Sequence, residues 1–273
     1  MSGVALYNGS RPGPELAWSR GLHYGDGVFR TLLVWDGEVL DLDLQLDVLA
    51  GDAAQLGLDS PPRPLLRVEL AQLAQGQPRA VLKLMLLRRA GGRGYQAARR
   101  DCDRLLLRSE APLYPAAHWS EGVRSFISPR LLAAQPQLAG IKHLNRLEQV
   151  LASGDWPADA DEALLCNAAG NPVCGSRSNL FRVKQGRLLT AGLSDCGIRG
   201  MMRRKIIDLA QALQIPVDIE DSRPETLRQA DEVLLSNSLI GIWPLRQVDD
   251  HCWPAPGPIT QRLMAALGHP RLC

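Results

Sequence analysis

Lys142 stands in the stretch AGIKHLNRLEQVLASG (139–154), directly after a Gly-Ile pair. An amine in that place is either a solvated surface charge or a nucleophile held for chemistry. Leu144, Leu147, Val150 and Leu151 recur at helical spacing and predict a helix over 142–153 with these residues as its apolar stripe. Lys142 would then open the helix, where the macrodipole opposes a positive charge. That field, with burial, favours the neutral amine, the form that attacks a carbonyl to make a Schiff base.

Two further stretches suit an anion. DCGIRGMMRRKIIDLA (195–210) reads as a loop entering a helix over 199–213, and backbone N–H groups exposed at such an entry bind phosphate without any side chain. The same residues also read as an ordinary tight turn. LLSNSLIGIWP (234–244) reads as a strand breaking into small polar residues, where Ser238 can donate to the same anion. A lysine together with two phosphate-capable loops points to pyridoxal phosphate, a cofactor that needs both. Other chemistry lacks its residues: there is no G-x-G-x-x-G, P-loop, H-E-x-x-H or G-x-S-x-G, and the histidines at 23, 118, 143, 251 and 269 never fall at ligand spacing. Six cysteines (102, 166, 174, 196, 252, 273) form no C-x-x-C, which predicts small buried hydrophobes in a reducing compartment rather than a metal knuckle.

The elements that must position these residues alternate in type. GVALYNG and GVFRTLLVWDGEVL read as strands, the second turning at Asp36-Gly37, a dipeptide suited to a hairpin. Leu42, Leu46, Leu49, Ala53 and Leu56 predict a helix ending at Gly57, and PRPLLRVELAQLAQG a second ending at Gly76. RAVLKLMLLRR and DRLLLRSE read as strands around a glycine-rich loop. These elements make an α+β domain over 1–111. Two prolines in APLYPAAHWS mark a linker at 112–119. Strands at VRSFISP, DEALLCNAAGNPV, SNLFRVKQGRLLT and DEVLLSN, with helices at 142–153, 199–213 and 258–267, make a larger β-rich domain over 120–273.

With 45% apolar and 22% charged residues the chain is of globular composition, which excludes disorder. A net charge of +2 and short basic runs leave no stripe for nucleic acid. No stretch reaches the length of a membrane span and no signal-like segment opens the chain, so the expected location is the cytoplasm.

YGDGVFRTL (24–32), GGRGY (91–95), AGIKHLNRLEQVLA (139–152), SNLF (178–181), GIRGMMR (197–203) and QADEVLLSNSLIGIWP (229–244) carry a family likeness. With them the chain resembles the fold type IV pyridoxal-phosphate enzymes, which include branched-chain and D-amino acid aminotransferases, and is most similar to the 4-amino-4-deoxychorismate lyases. The resemblance spans the whole length and implies a two-domain homodimer acting on a small molecule. It implies that Lys142 bonds to the cofactor and then serves as general base. Gly197, the Ile198 and Arg199 amides and Ser238 would hold the phosphate, and Thr31, Tyr24 and Arg93 would contact substrate.

Two positions depart from the family pattern. Cys174 stands where the family has the glutamate that holds the pyridine nitrogen, and Val48 where it has a phosphate-binding arginine. Arg30 and Arg199 are the candidates to replace that charge. Three readings follow: an active or weakened aminodeoxychorismate lyase, an aminotransferase of the same fold, or a silent relative that binds without chemistry.

Overall fold

A computed structural model describes residues 3–92, 94–97, 99–154 and 156–271. The chain forms two compact units, Met1–Pro112 with Ile141–Asn145, and Leu113–Gly140 with Arg146–Cys273.

The first unit runs β1 (Val4–Tyr7), α1 (Arg20–Tyr24), β2 (Gly27–Trp35), β3 (Glu38–Val39), α2 (Leu42–Gln55), α3 (Arg63–Ala74), β4 (Arg79–Arg88) and β5 (Cys102–Ser109). Its strands pair antiparallel in the order β1-β5-β4-β2-β3. The Asp36-Gly37 turn joins β2 to β3 with both residues at positive φ, as its composition predicts. β4 alternates: Ala80, Leu82, Leu84 and Leu86 are buried, while Val81, Lys83 and Met85 between them are half-buried. The period of two sends the first set into one core with Val28, Leu32 and Val34 of β2 and the apolar faces of α2 and α3. Each leucine fully buried there contributes roughly 1.5–3 kcal/mol. The other face of β2 and β4 carries Phe29 opposite Met85 and Thr31 opposite Lys83.

The second unit runs α4 (Ala117–Ser120), β6 (Val123–Leu132), α5 (Leu147–Gly154), β7 (Glu162–Asn167), β8 (Pro172–Gly175), β9 (Asn179–Lys184), β10 (Arg187–Thr190), α6 (Met201–Ala212), β11 (Val217–Ile219), α7 (Pro224–Arg228), β12 (Glu232–Asn237), β13 (Gly241–Val248), β14 (His251–Cys252) and α8 (Pro258–Leu267). Six strands form a ring, β9-β12-β13-β6-β7-β8, closed by pairing of β8 with β9 at Cys174 and Asn179. Closure leaves those six without a free edge. Residues 112–119 are not a bare linker: from Leu113 they belong to this unit, they begin α4, and Trp119 is buried with its indole N–H donated to the Ile240 carbonyl. The chain beyond Asn237, expected to break off, resumes as β13 after a short turn. Gly241 and Pro244 hide that strand from a reading by composition. No helix among the described residues is long and apolar enough to cross a membrane.

Candidate functional site

Lys142 does not open a helix. α5 begins five residues later at Leu147, and Lys142 lies on a strap, residues 141–145, that belongs to the first unit. The strap is extended because β2 takes its backbone groups: the Phe29 N–H donates to the Lys142 carbonyl at 2.9 Å, the Leu144 N–H to Gly27 at 3.0 Å, and His143 pairs with Val28. The amine is therefore not on the first turn of α5, where the sequence pattern placed it. The expected stripe fails with the helix boundary, since Leu147, Val150 and Leu151 are 75%, 63% and 58% exposed.

A carboxylate that the sequence reading passed over fixes the strap. Asp52, on α2, accepts the Lys142 N–H at 3.0 Å and also the Nη2 of Arg30. Both partners of that ion pair are almost completely buried. Burial pushes the Asp52 carboxyl up and the Arg30 guanidinium down, and each charge opposes the shift of the other. Arg30, a candidate to replace the missing phosphate cation, is thus committed inside the first unit, where its Nη2 also reaches the Val48 carbonyl at 3.3 Å. Val48 itself brings no charge.

The Lys142 Nζ lies 4.7 Å from the centroid of the Phe29 ring, and the Lys83 Nζ lies at the same distance from that ring. Thr31 is two residues from Phe29 on β2 and directly opposite Lys83, so these side chains share one sheet face. The structure therefore places Thr31 on the sheet face whose Phe29 ring meets Lys142, and adds Lys83, which the sequence reading missed. Its signal was a single charge inside the apolar run VLKLMLL. Tyr24 ends α1, partly exposed, its hydroxyl accepting the Gly94 N–H at 3.3 Å and its ring 5.4 Å from that of Tyr95. It is tied to the loop that carries Arg93, which itself lies outside the described residues.

In the second unit, the turn before α6 has the expected glycine chemistry. Gly197 has φ +81°, and a Cβ there would come within 2.7 Å of Leu193 and 3.1 Å of Val173. Asn179 staples the turn, donating Nδ2–H to the Ile198 carbonyl at 2.7 Å and accepting the Gly200 N–H at 3.2 Å. Gly140, two residues before Lys142, donates its N–H to the Gly197 carbonyl at 2.9 Å and accepts the Arg199 N–H at 3.0 Å. The Arg199 amide, expected to face a phosphate, is therefore engaged by Gly140.

Two guanidiniums flank this helix entry. Arg199 is exposed and donates to the Leu193 carbonyl; Arg203 is buried and donates to Ala191 and Thr190. Burial, and then the charge of Arg199, push Arg203 down to about 10. Among the described residues no carboxylate forms a salt bridge with either. Unbalanced positive charge at a helix N-terminus suits an anion. Ser238 sits in the half-buried turn after β12, which is capped by Asn237 accepting the Leu239 and Ile240 N–H groups.

Cys174 is in β8, buried among Leu132, Leu165, Val173, Ala191, Leu193 and Cys196. Burial pushes its thiol up, so it stays protonated. A weak neutral donor thus stands where the family resemblance places a carboxylate. Taken by itself, the Lys142 amine of the first unit suits an aldehyde, and the glycine turn with its two guanidiniums in the second suits a phosphate, the two groups that pyridoxal phosphate carries; Cys174 supplies no charge for a ring nitrogen.

Residues 27–248 match the family model of amino-transferase class IV. An aminodeoxychorismate lyase of Vibrio harveyi is 30% identical over 231 residues, 83% of this chain and 84% of the relative. A branched-chain-amino-acid aminotransferase, so named provisionally, of Methanocaldococcus jannaschii is 31% identical over 237 residues, 85% of this chain and 82% of the relative. The crystal structure of 4-amino-4-deoxychorismate lyase from Pseudomonas aeruginosa superposes with a TM-score of 0.89 at 37% identity, covering 97% of this chain and 98% of that one.

Proposed function

We infer that this chain, which belongs to the amino-transferase class IV family of fold type IV pyridoxal-phosphate enzymes, is an aminodeoxychorismate lyase that converts 4-amino-4-deoxychorismate into 4-aminobenzoate and pyruvate. The observation that carries this reading is the fixing of Lys142. Its N–H is held by Asp52 and its carbonyl by Phe29, so the amine is presented from a defined backbone position. The likeness to lyases at 30% and 37% identity supports the choice of reaction.

Pyridoxal phosphate, when bound, supplies an electron sink for the charge left when a proton leaves the carbon bearing the substrate nitrogen. Each residue of the chain then has a stated task. Lys142 Nζ would hold the aldehyde carbon of the cofactor and, as general base, would take the proton from that ring carbon. Departure of the enolpyruvyl group, which gains a proton to become pyruvate, leaves an aromatic ring. The Ile198 N–H, Ser238, Arg199 and Arg203 hold the phosphate, with Gly197 shaping the turn. Thr31, Tyr24 and Arg93 contact substrate.

The neutral thiol of Cys174 favours this reading over an aminotransferase. Elimination to an aromatic product is driven by the substrate itself, whereas amino transfer relies on a well-stabilised carbanion. The 31% identical aminotransferase keeps that second reading in play. A homodimer in the cytoplasm completes the proposal.

Borohydride reduction with pyridoxal phosphate, followed by peptide mapping, tests the role of Lys142, and release of 4-aminobenzoate and pyruvate in equal amounts tests the reaction. A label on Lys142 without that release, but with amino transfer from a D- or branched-chain amino acid, would replace lyase by aminotransferase. No label at saturating cofactor would favour the silent relative.

A further inference from the structure

We propose that Lys83 is a substrate-binding residue that takes one carboxylate of the substrate and makes the chain selective for dicarboxylates. The inference rests on the lyase reading and deepens it. Lys83 is half-buried in the middle of β4, and among the described residues no carboxylate forms a salt bridge with it. Its cross-strand neighbours are Thr31 on β2 and Leu107 on β5, neither of which can balance a charge. A cation in such a place is penalised by desolvation, and burial does push the Lys83 amine below the usual lysine range. An arriving carboxylate would offset that penalty.

Position makes the ligand a substrate. Lys83 and Lys142 are both 4.7 Å from the Phe29 centroid, so their nitrogens are separated by no more than twice that distance. A molecule whose amine reaches Lys142 therefore has Lys83 within the span of a substituted six-membered ring. Aminodeoxychorismate carries a ring carboxylate and an enolpyruvyl carboxylate, and simple aliphatic amino acids have only one, next to the amine. A lysine on a central strand is also held in register by pairing on both sides, which suits a residue that sets specificity.

The test uses the loaded enzyme and two non-reacting ligands. Chorismate has both carboxylates but a hydroxyl in place of the amine; 4-aminobenzoate keeps only the ring carboxylate. In Lys83→Met, KM for aminodeoxychorismate is expected to rise about ten- to a hundredfold with a much smaller change in kcat. Calorimetric binding of chorismate should weaken by a similar factor, and Lys83→Arg should recover most of it. Weakening of both ligands assigns the ring carboxylate to Lys83, and weakening of chorismate alone assigns the enolpyruvyl carboxylate. Unchanged chorismate affinity in a folded Lys83→Met protein overturns the proposal, as does a loss of kcat at unchanged KM. Absence of lyase turnover in the parent protein would instead overturn the reading on which the proposal rests. If the parent also binds neither ligand, both fall together.

Discussion

The Lys142 strap and the Gly197–Gly200 turn are anchored by opposite means. The strap hangs from a buried ion pair, Asp52 with Arg30, whereas the turn is stapled by the neutral amide of Asn179. A neutral staple leaves the field of the α6 N-terminus and of Arg199 and Arg203 unopposed, which an anion site requires. A charged anchor places a carboxylate beside the backbone of the lysine, and Arg30 offsets its charge. The backbone that carries the amine is thereby fixed in place. Charge orients the strap, while the staple of the turn is neutral and leaves the positive charge there unopposed.

Removal of the amine gives the largest expected effect. Lys142→Ala should abolish borohydride trapping at the cofactor and lower turnover by at least about 10²–10⁴-fold, the range for loss of a general base. Turnover near that of the parent would show that the strap presents something else.

The anchors should then differ in kind. Asp52→Ala leaves the Arg30 guanidinium buried and unpaired, a loss of about 3–5 kcal/mol in denaturant unfolding, while Arg30→Leu with Asp52→Leu should be milder. If the double change is stable but reactivity of the Lys142 amine toward acetic anhydride changes in its pH profile, the pair positions the lysine rather than stabilising the fold. Equal loss in single and double variants would erase the contrast between the two anchors.

Asn179→Ala removes two hydrogen bonds from the turn, each worth about 0.5–1.5 kcal/mol. It should weaken pyridoxal phosphate binding in a spectroscopic titration while leaving Lys142 reactive in the apoprotein. Loss of that reactivity would mean that the turn and the strap are not separately held.

The smallest effect concerns pH. Because burial depresses the Lys83 amine, the unfolded chain binds more protons than the folded one between its folded pKa and the usual lysine value of about 10.4. Stability relative to Lys83→Met should therefore rise with pH through that window and be lost again as pH falls through the folded pKa. Parallel stability curves for the two proteins across it would show that the lysine is fully solvated.

Local rules settled much of this molecule in advance. The Asp36-Gly37 hairpin, the leucine stripes of α2 and α3 and the alternation of β4 follow from turn chemistry and side-chain period, which depend on residues near in sequence. The glycine turn before α6 was legible for the same reason. Sequence types also marked Lys142 and Thr31 as candidates.

What remained was decided by partners far along the chain. Residues 142–144 fall within the helix that the apolar spacing predicts over 142–153, yet Gly27 and Phe29, more than a hundred positions away, bind their backbone and hold them extended. Asp52 became an anchor, Arg30 its buried counter-ion and Lys83 a neighbour of Lys142 over the Phe29 ring only when β2, β4 and α2 packed together. No local period encodes such meetings, because hydrogen bonding and desolvation act on distances in space and are blind to separation along the chain.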